Sequence, residues 1–257
     1  MGGTVARRIL GVAAAIAIIA VILGQFVAHA REDIVGGDRA KIADHPYVVY
    51  IATRDGYQFC GGTLVAADKV VTAAHCAKAY NVKDIRVVAG REDKRGTDGV
   101  EVRVTKVWVH PEFDDVVGGS DVAVLTLADK LSQRPLTVAD DEDAYRPGTK
   151  GVILGWGRTS DGGPTSRYLL KAEVPIIADP ACAESYAAFA AKSMVCAGYP
   201  EGGVDSCQGD SGGPLVIAGR LVGIASWGEG CAEAGKPGVY TRVAVYAKDI
   251  EAQLGSP

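Results

Sequence analysis

One stretch of the sequence combines a hydroxyl nucleophile with flexible backbone and acidic neighbours. It runs from Asp205 to Pro214 and reads D-S-C-Q-G-D-S-G-G-P. Ser211 lies among its glycines, with Asp210 directly before it. A serine hydroxyl attacks a carbonyl efficiently only with a base, a group that orients the base, and donors for the oxyanion. Glycines let backbone N–H groups come close to a substrate. The alternative is a glycine-rich surface turn.

Three histidines follow residue 33 and are candidates for the base: His45, His75 and His110. Histidine suits this role because its unperturbed pKa, about 6.5, lies near neutral pH. His45 and His110 each precede a proline, which is typical of a turn. His75 is therefore the predicted base, and the alternative is a structural histidine beside a disulfide.

The group that orients the base should be a buried acid. Asp121 leads directly into the apolar run V-A-V-L, which predicts a strand that buries its first residue. Asp114 and Asp115 are nearby acids without such a run. Asp121 is the predicted orienting acid, and the alternative is a solvent-facing or capping acid at a strand end.

These motifs resemble the trypsin/chymotrypsin family of serine proteases over Ile34 to about Leu254, most closely its secreted bacterial trypsins. The resemblance rests on G-D-S-G-G-P after D-S-C-Q, on T-A-A-H-C around His75, and on the order His75, Asp121, Ser211. It implies that these three residues are catalytic. It also implies that the backbone N–H groups of Gly209 and Ser211 form the oxyanion hole.

The resemblance further implies a primary specificity pocket with an acid, Asp205, at its base. A carboxylate there would pair with a substrate Arg or Lys. Gly228 and Gly238 would leave room for a long side chain. The alternative is that Asp205 is a loop acid and the pocket is apolar. The other substrate-binding residues that the resemblance implies are Ser206, Gln208, Ser226 and Trp227.

The sequence I-V-G-G at Ile34 resembles the new N-terminus that this family exposes on activation. The freed ammonium of Ile34 would pair with the Asp210 carboxylate, since a buried charge without a partner is costly. The alternative is an ordinary strand start. Asp33 departs from the family pattern, because a trypsin-like enzyme should not cut after Asp. We therefore expect another protease to cut the bond between Asp33 and Ile34.

All six cysteines follow residue 59, and an even number in an exported chain predicts three disulfides. Sequence alone leaves about 15 pairings open. The resemblance implies Cys60–Cys76, Cys182–Cys196 and Cys207–Cys231. A zinc site is the competing interpretation, but no C-x-x-C or H-E-x-x-H spacing supports it.

The first 30 residues are typical of a signal peptide. Arg7 and Arg8 precede an apolar run, and Ala28-His29-Ala30 has the pattern of a signal-peptidase site. The alternative is a retained membrane anchor, since residues 9–28 are long enough to span a bilayer. Residues 31–33 would be a short propeptide, and both interpretations place the rest of the chain outside the cell.

The composition predicts a globular all-β fold. Thirty-three glycines among 257 residues indicate many turns, and short β-branched runs indicate strands. Only the C-terminal end has a helical spacing, at Tyr246, Ile250 and Leu254. The resemblance implies two antiparallel six-stranded β-barrels with the active site between them. The predicted barrels span residues 34–140, with His75 and Asp121, and 141–257, with Ser211 and the helix.

The function predicted from these features is a secreted endopeptidase that cleaves after Arg or Lys. Its expected partners are protein or peptide substrates, protein inhibitors and an activating protease, and we expect a monomer. A net charge of −4 without basic runs argues against nucleic acid. We expect no cofactor, no metal site and, after processing, no membrane. The alternatives are a non-catalytic binding module on the same fold and a membrane-anchored processing protease.

Overall fold

The first barrel is a closed antiparallel sheet of six strands. In the computed structural model, which describes residues 34–255, a two-residue strand β1 (Asp38–Arg39) precedes it. The order around the barrel is β2-β3-β4-β7-β6-β5, and pairing of β5 with β2 closes it. Its strands are β2 (Val48–Thr53), β3 (Gln58–Ala66), β4 (Lys69–Thr72), β5 (Ile85–Ala89), β6 (Val100–Val109) and β7 (Ala123–Leu127).

The second barrel is also closed and antiparallel, with the order β9-β10-β11-β14-β13-β12 and a final pairing of β12 with β9. A short strand β8 (Thr137–Val138) precedes it. Its strands are β9 (Lys150–Gly155), β10 (Leu170–Ile177), β11 (Met194–Ala197), β12 (Pro214–Ile217), β13 (Arg220–Trp227) and β14 (Gly238–Arg242). The predicted all-β class with two six-stranded barrels is confirmed.

Local sequence patterns explain two details of these sheets. The alternating valines of β6 change phase after Val104, and the register of β6 on β7 shifts between Val104 and Lys106. This shift is a β-bulge, which a one-residue change of phase in the valine pattern indicates. The strands β12 and β13 form a hairpin across Ala218 and Gly219, which both have positive φ. Two positive φ values are typical of the tight turns that join antiparallel strands.

In the described part of the chain, three short α-helices accompany the barrels: α1 (Ala74–Lys78), α2 (Asp179–Ser185) and α3 (Ala247–Leu254). The C-terminal helix was predicted, and it buries Ile250 fully. The expectation that only the C-terminal end is helical is wrong, because α1 and α2 are too short to show an apolar period. No helix among residues 34–255 is long and apolar enough to cross a membrane. The predicted signal peptide and propeptide lie outside the described residues.

Two segments of the predicted N-terminal half pair with the second barrel. Strand β1 is antiparallel to β10, with Asp38 opposite Lys171 and Arg39 opposite Leu170. Strand β8 is parallel to β13. The chain therefore crosses between the barrels after residue 39 and again near residue 138.

The hydrophobic core of the first barrel continues into the second. The ring of Trp156, which follows β9, is fully buried and lies 5.2 Å from the ring of Tyr50 in β2. Its indole N–H donates to the carbonyl oxygen of Glu92, at 2.9 Å. The same cluster includes Leu154, Leu169, Ile224, Val243 and Ile250 from the second half of the chain.

Three disulfides are present, and each lies within one barrel or its loops. They are Cys60–Cys76, Cys182–Cys196 and Cys207–Cys231, the pairs that the resemblance implies. The sulfur atoms of Cys60 and Cys76 lie with the His75 ring in a group of potential metal ligands. Because the two sulfurs are bonded to each other, they do not offer the thiolates of a zinc site.

Candidate active site

Two hydrogen bonds join the predicted base to its orienting acid. His75 lies in α1, directly after β4, and Asp121 lies two residues before β7. His75 Nδ1 is 2.8 Å from Asp121 Oδ2, and the His75 backbone N–H donates to Asp121 Oδ1 at 2.9 Å. Asp121 is only 1% exposed. This geometry directs the other ring nitrogen, Nε2, away from the acid.

Groups from the second barrel also hold Asp121. The hydroxyl of Ser226 in β13 donates to Asp121 Oδ2 at 2.6 Å. The hydroxyl of Thr241 in β14 donates to the Asp121 carbonyl oxygen at 2.8 Å. The sequence predicted Ser226 only as a pocket residue, and nothing in the sequence pointed to Thr241. The acid is therefore fixed by both barrels.

The Cys60–Cys76 disulfide contacts both the predicted base and the backbone of the predicted nucleophile. Cys76 Sγ is 3.4 Å from His75 Nε2 and 3.5 Å from the Ser211 carbonyl oxygen. That carbonyl accepts the N–H of Gly61 in β3 at 2.8 Å. Within residues 34–255, no hydrogen bond joins Ser211 Oγ to His75. Such bonds are often long without substrate and tighten when substrate binds.

The turn before Ser211 contains Gly209, the other residue whose backbone N–H is predicted to bind the oxyanion. The carbonyl oxygen of Gln208 accepts the Arg158 N–H at 2.9 Å. Because the C=O and N–H of a trans peptide point in opposite directions, the Gly209 N–H faces the other way. Gly209 has a φ of 98°, which favours glycine. In the described part of the chain, the N–H groups of Gly209 and Ser211 have no acceptor.

Asp210 is buried below this turn. Its Oδ1 accepts the Gly157 N–H at 2.7 Å, and its Oδ2 accepts the Cys207 N–H at 3.1 Å. Burial raises the pKa of Asp210 to about 6, although these bonds and the nearby Lys94 ammonium act in the opposite direction. The side chain of Ile34 is fully buried and lines a narrow internal cleft together with Asp210.

A cavity of about 170 Å³ opens beside Ser211. All seven residues predicted to bind substrate line this cavity, together with Ser211. They come from several different strands and loops. They are Asp205, Ser206, Gln208, Ser226, Trp227, Gly228 and Gly238.

Asp205 supplies a carboxylate inside this cavity and is 4% exposed. Its Oδ1 accepts the Ser206 N–H at 2.7 Å. Burial raises the pKa of Asp205 to about 7, and hydrogen bonds from Ser206 and Ala232 limit the rise. Among residues 34–255, no cationic side chain lies within ion-pair distance of it. A cation entering the cavity would stabilise the charged form.

The two pocket glycines differ in what surrounds them. A Cβ on Gly238 would lie only 2.5 Å from Asp205 Oδ1, so a side chain there would displace the carboxylate. A Cβ on Gly228 would meet nothing within 4 Å. Gly238 is thus required by Asp205, whereas Gly228 leaves the cavity wall open.

The sequence matches the Trypsin family over residues 34–250. It is 51% identical over 224 residues to "Trypsin" of Saccharopolyspora erythraea, covering 87% of this chain and 99% of that protein. It is 39% identical over 227 residues to "Vitellin-degrading protease" of Bombyx mori, covering 86% and 85%. It is 38% identical over 247 residues to "Anionic trypsin" of Canis lupus familiaris, covering 93% and 98%. The chain therefore belongs to the trypsin family of serine proteases and is a serine endopeptidase.

Proposed function

We propose that the chain is a secreted endopeptidase that cleaves peptide bonds after Arg or Lys. The observation that carries this proposal is the buried carboxylate of Asp205, which faces the same cavity as Ser211. A buried carboxylate without a cationic partner is costly, and an Arg or Lys side chain of a substrate would supply that partner. Two of the relatives compared above are named trypsins.

In the proposed mechanism, Ser211 Oγ bonds to the substrate carbonyl carbon while its proton moves to His75 Nε2. The oxyanion that forms accepts the N–H groups of Gly209 and Ser211. His75 then gives the proton to the leaving amine as the C–N bond breaks, which leaves an acyl-enzyme. Water attacks the ester with His75 again as base, and Ser211 recovers its proton. Asp121 keeps the imidazole in the required tautomer and stabilises its charged form.

Activation in this proposal follows a cut between Asp33 and Ile34. The new ammonium of Ile34 would pair with Asp210, whose burial disfavours an uncompensated charge. The cut must come from another protease, because the Asp205 pocket does not accommodate Asp33. The three disulfides agree with an oxidising compartment outside the cell, and residues 1–30 would direct export. We also expect protein inhibitors to bind the site and the enzyme to act as a monomer.

The test is a cleavage profile on a mixed peptide library with protein cut before Ile34. We expect cleavage almost entirely after Arg and Lys. Asp205→Ser should lower kcat/KM for Arg substrates by about a hundredfold or more, since the substrate cation loses a buried partner. Asp129→Ser, which removes an exposed aspartate, serves as the control and should behave like wild type.

An unchanged preference for Arg in Asp205→Ser would refute the pocket assignment. Cleavage after apolar residues by the wild type would do the same while retaining the catalytic residues. Folded, correctly bridged protein that cleaves nothing would instead support the binding-module alternative.

A further inference from the structure

A lysine outside the predicted site reaches the loops that surround the oxyanion hole. Lys94 follows β5 in the first barrel, and its ammonium lies among three acceptors. They are Gln58 Oε1 at 2.6 Å, Thr165 Oγ1 at 3.1 Å and the Trp156 carbonyl oxygen at 3.3 Å. A lysine ammonium has three protons and no acceptor, so all its donors are used here. Two of the three partners belong to the second barrel.

Gln58, at the start of β3, connects this ammonium to the turn that carries the oxyanion donors. Its side-chain Nε2 donates to the Gly209 carbonyl oxygen at 2.8 Å, and the residue is buried. An amide can present either its oxygen or its nitrogen to a neighbour. Because Lys94 can only donate, it holds Oε1 on its own side and leaves Nε2 facing Gly209.

Anchors on both sides fix the conformation of Gly209. The peptide before it is held by the bond from Arg158 N–H to the Gln208 carbonyl, at 2.9 Å. The peptide after it is held at one end by Gln58 and at the other by the bond from Asp210 N–H to the Cys207 carbonyl, at 2.9 Å. A glycine with a φ of 98° has many other conformations available. Its orientation therefore depends on these bonds.

We propose that Lys94, acting through Gln58, is a positioning residue that holds the Gly209 N–H toward the substrate oxyanion. This inference rests on the proposed function, because it assigns a task within that mechanism. The Lys94 charge also acts on the acid below the turn, because it opposes the rise that burial causes in the pKa of Asp210. Burial lowers the pKa of Lys94 to about 8, and the nearby Asp210 opposes this fall. The ammonium thus contacts the turn through Gln58 and acts electrostatically on its buried acid.

The experiment uses full chains that carry Asp33→Lys, cut before Ile34 by immobilised trypsin. Ser211→Ala prepared in the same way measures any trypsin carried over. In Lys94→Met, kcat for an arginine peptide amide should fall about tenfold while KM stays unchanged. The reason is that a misdirected Gly209 N–H would stabilise the transition state less without weakening substrate binding. The control is Lys69→Met, which removes another largely buried lysine, one that pairs with Asp68 at 3.0 Å.

Two inhibitors separate oxyanion stabilisation from pocket binding. A peptide aldehyde that ends in argininal forms a tetrahedral adduct with Ser211 and needs the oxyanion donors. Benzamidine fills the pocket around Asp205 without needing them. Lys94→Met should weaken the aldehyde about tenfold and leave benzamidine unchanged. Benzamidine binding also reports that the variant is folded.

Substitutions of Gln58 test whether Lys94 acts on Gly209 through the Gln58 side chain. Gln58→Glu can still pair with Lys94 but cannot donate to the Gly209 carbonyl, so kcat should fall although the ion pair remains. In a Gln58→Met background, Lys94→Met should add no further loss of kcat.

The inference is overturned if Lys94→Met has the kcat of Lys69→Met, if both inhibitors weaken equally, or if Gln58→Glu retains full activity. A wild-type enzyme that does not cleave after Arg refutes the proposed function, and this inference with it. Normal wild-type cleavage with any of the first three results refutes this inference alone.

Discussion

At the scale of single residues, the proposed activation depends on the identity of residue 33, which is Asp. We expect the full chain carrying Asp33→Lys to convert itself to the form that begins at Ile34, because the Asp205 pocket would accept the new lysine. The rate should rise with protein concentration, as expected for cleavage in trans. Gel electrophoresis with N-terminal sequencing of the product follows the conversion.

The matched control for self-activation is the double variant Asp33→Lys, Ser211→Ala, which should stay intact. The wild-type precursor should also stay intact when it is mixed with its own mature form. Cutting of the wild-type precursor before Ile34 by that mature form would contradict the proposed need for a second protease.

Asp205 should make ligand binding depend on pH. Burial raises its pKa to about 7, and a bound cation favours the charged carboxylate. Below pH 7, binding must therefore release a proton, so the affinity for benzamidine should fall about tenfold per pH unit and should level off above pH 7. Inhibition constants between pH 5 and pH 9 measure this slope.

The control for the pH dependence is Asp205→Asn, in which no carboxyl group titrates. It should bind benzamidine weakly and without this slope. A wild-type affinity that is constant from pH 5 to pH 8 would show that the carboxylate is already charged in the empty pocket.

At the scale of elements, the loop between β11 and β12 must dock tightly on the first barrel. Gly212 has a φ of 81°, and a Cβ there would overlap Thr72 Oγ1 and the Gly61 carbonyl oxygen. Gly212→Ala should destabilise the protein by about 1–3 kcal/mol. It should also lower kcat/KM by about a hundredfold, because Ser211 is displaced. Thermal unfolding and peptide hydrolysis provide the two measurements.

Gly219→Ala is the matched control for this docking. Gly219 has a similar φ of 73°, but a Cβ there meets nothing within 4 Å. Only backbone strain should remain, at about 1 kcal/mol, with unchanged kcat/KM. Equal effects of the two substitutions on activity would exclude a role for the close contact.

Some features of the strands and loops could be predicted from local sequence patterns, and others could not. The bulge in β6 and the hairpin across Ala218 and Gly219 follow from local patterns, so they could be predicted. The contact of Ser226 with Asp121 joins residues 105 apart in sequence, and no local pattern encodes it. The hydrogen bond from Lys94 to Gln58 could not be predicted from the sequence for the same reason. The pairing of β2 with β5, which closes the first barrel, likewise depends on tertiary structure and not on a local pattern.

At the scale of the whole molecule, the shared core should make the two barrels unfold together. Trp156→Ala removes a fully buried indole that contacts the first barrel, and should cost about 3–5 kcal/mol. Activity and circular dichroism, measured across one denaturant series, should still be lost together in a single transition. Trp108→Ala is the control and should cost less, because Trp108 is only half-buried.

Loss of activity at a clearly lower denaturant concentration than the loss of circular dichroism would contradict this coupling. It would mean that the site between the barrels opens while each barrel remains folded.

The pairing of β1 with β10 has a consequence for the timing of the proposed activation. In the uncut chain Ile34 is already fully buried, and Asp38 and Arg39 are already paired with β10. Proteases commonly bind a substrate as an extended strand. The residues after Asp33 would then have to leave their contacts before the bond could be cut. The rate of maturation would follow the fraction of precursor molecules in which this segment is open. Substitutions in Ile34–Arg39 would thus change the rate at which mature enzyme forms, even where they leave the mature site unchanged.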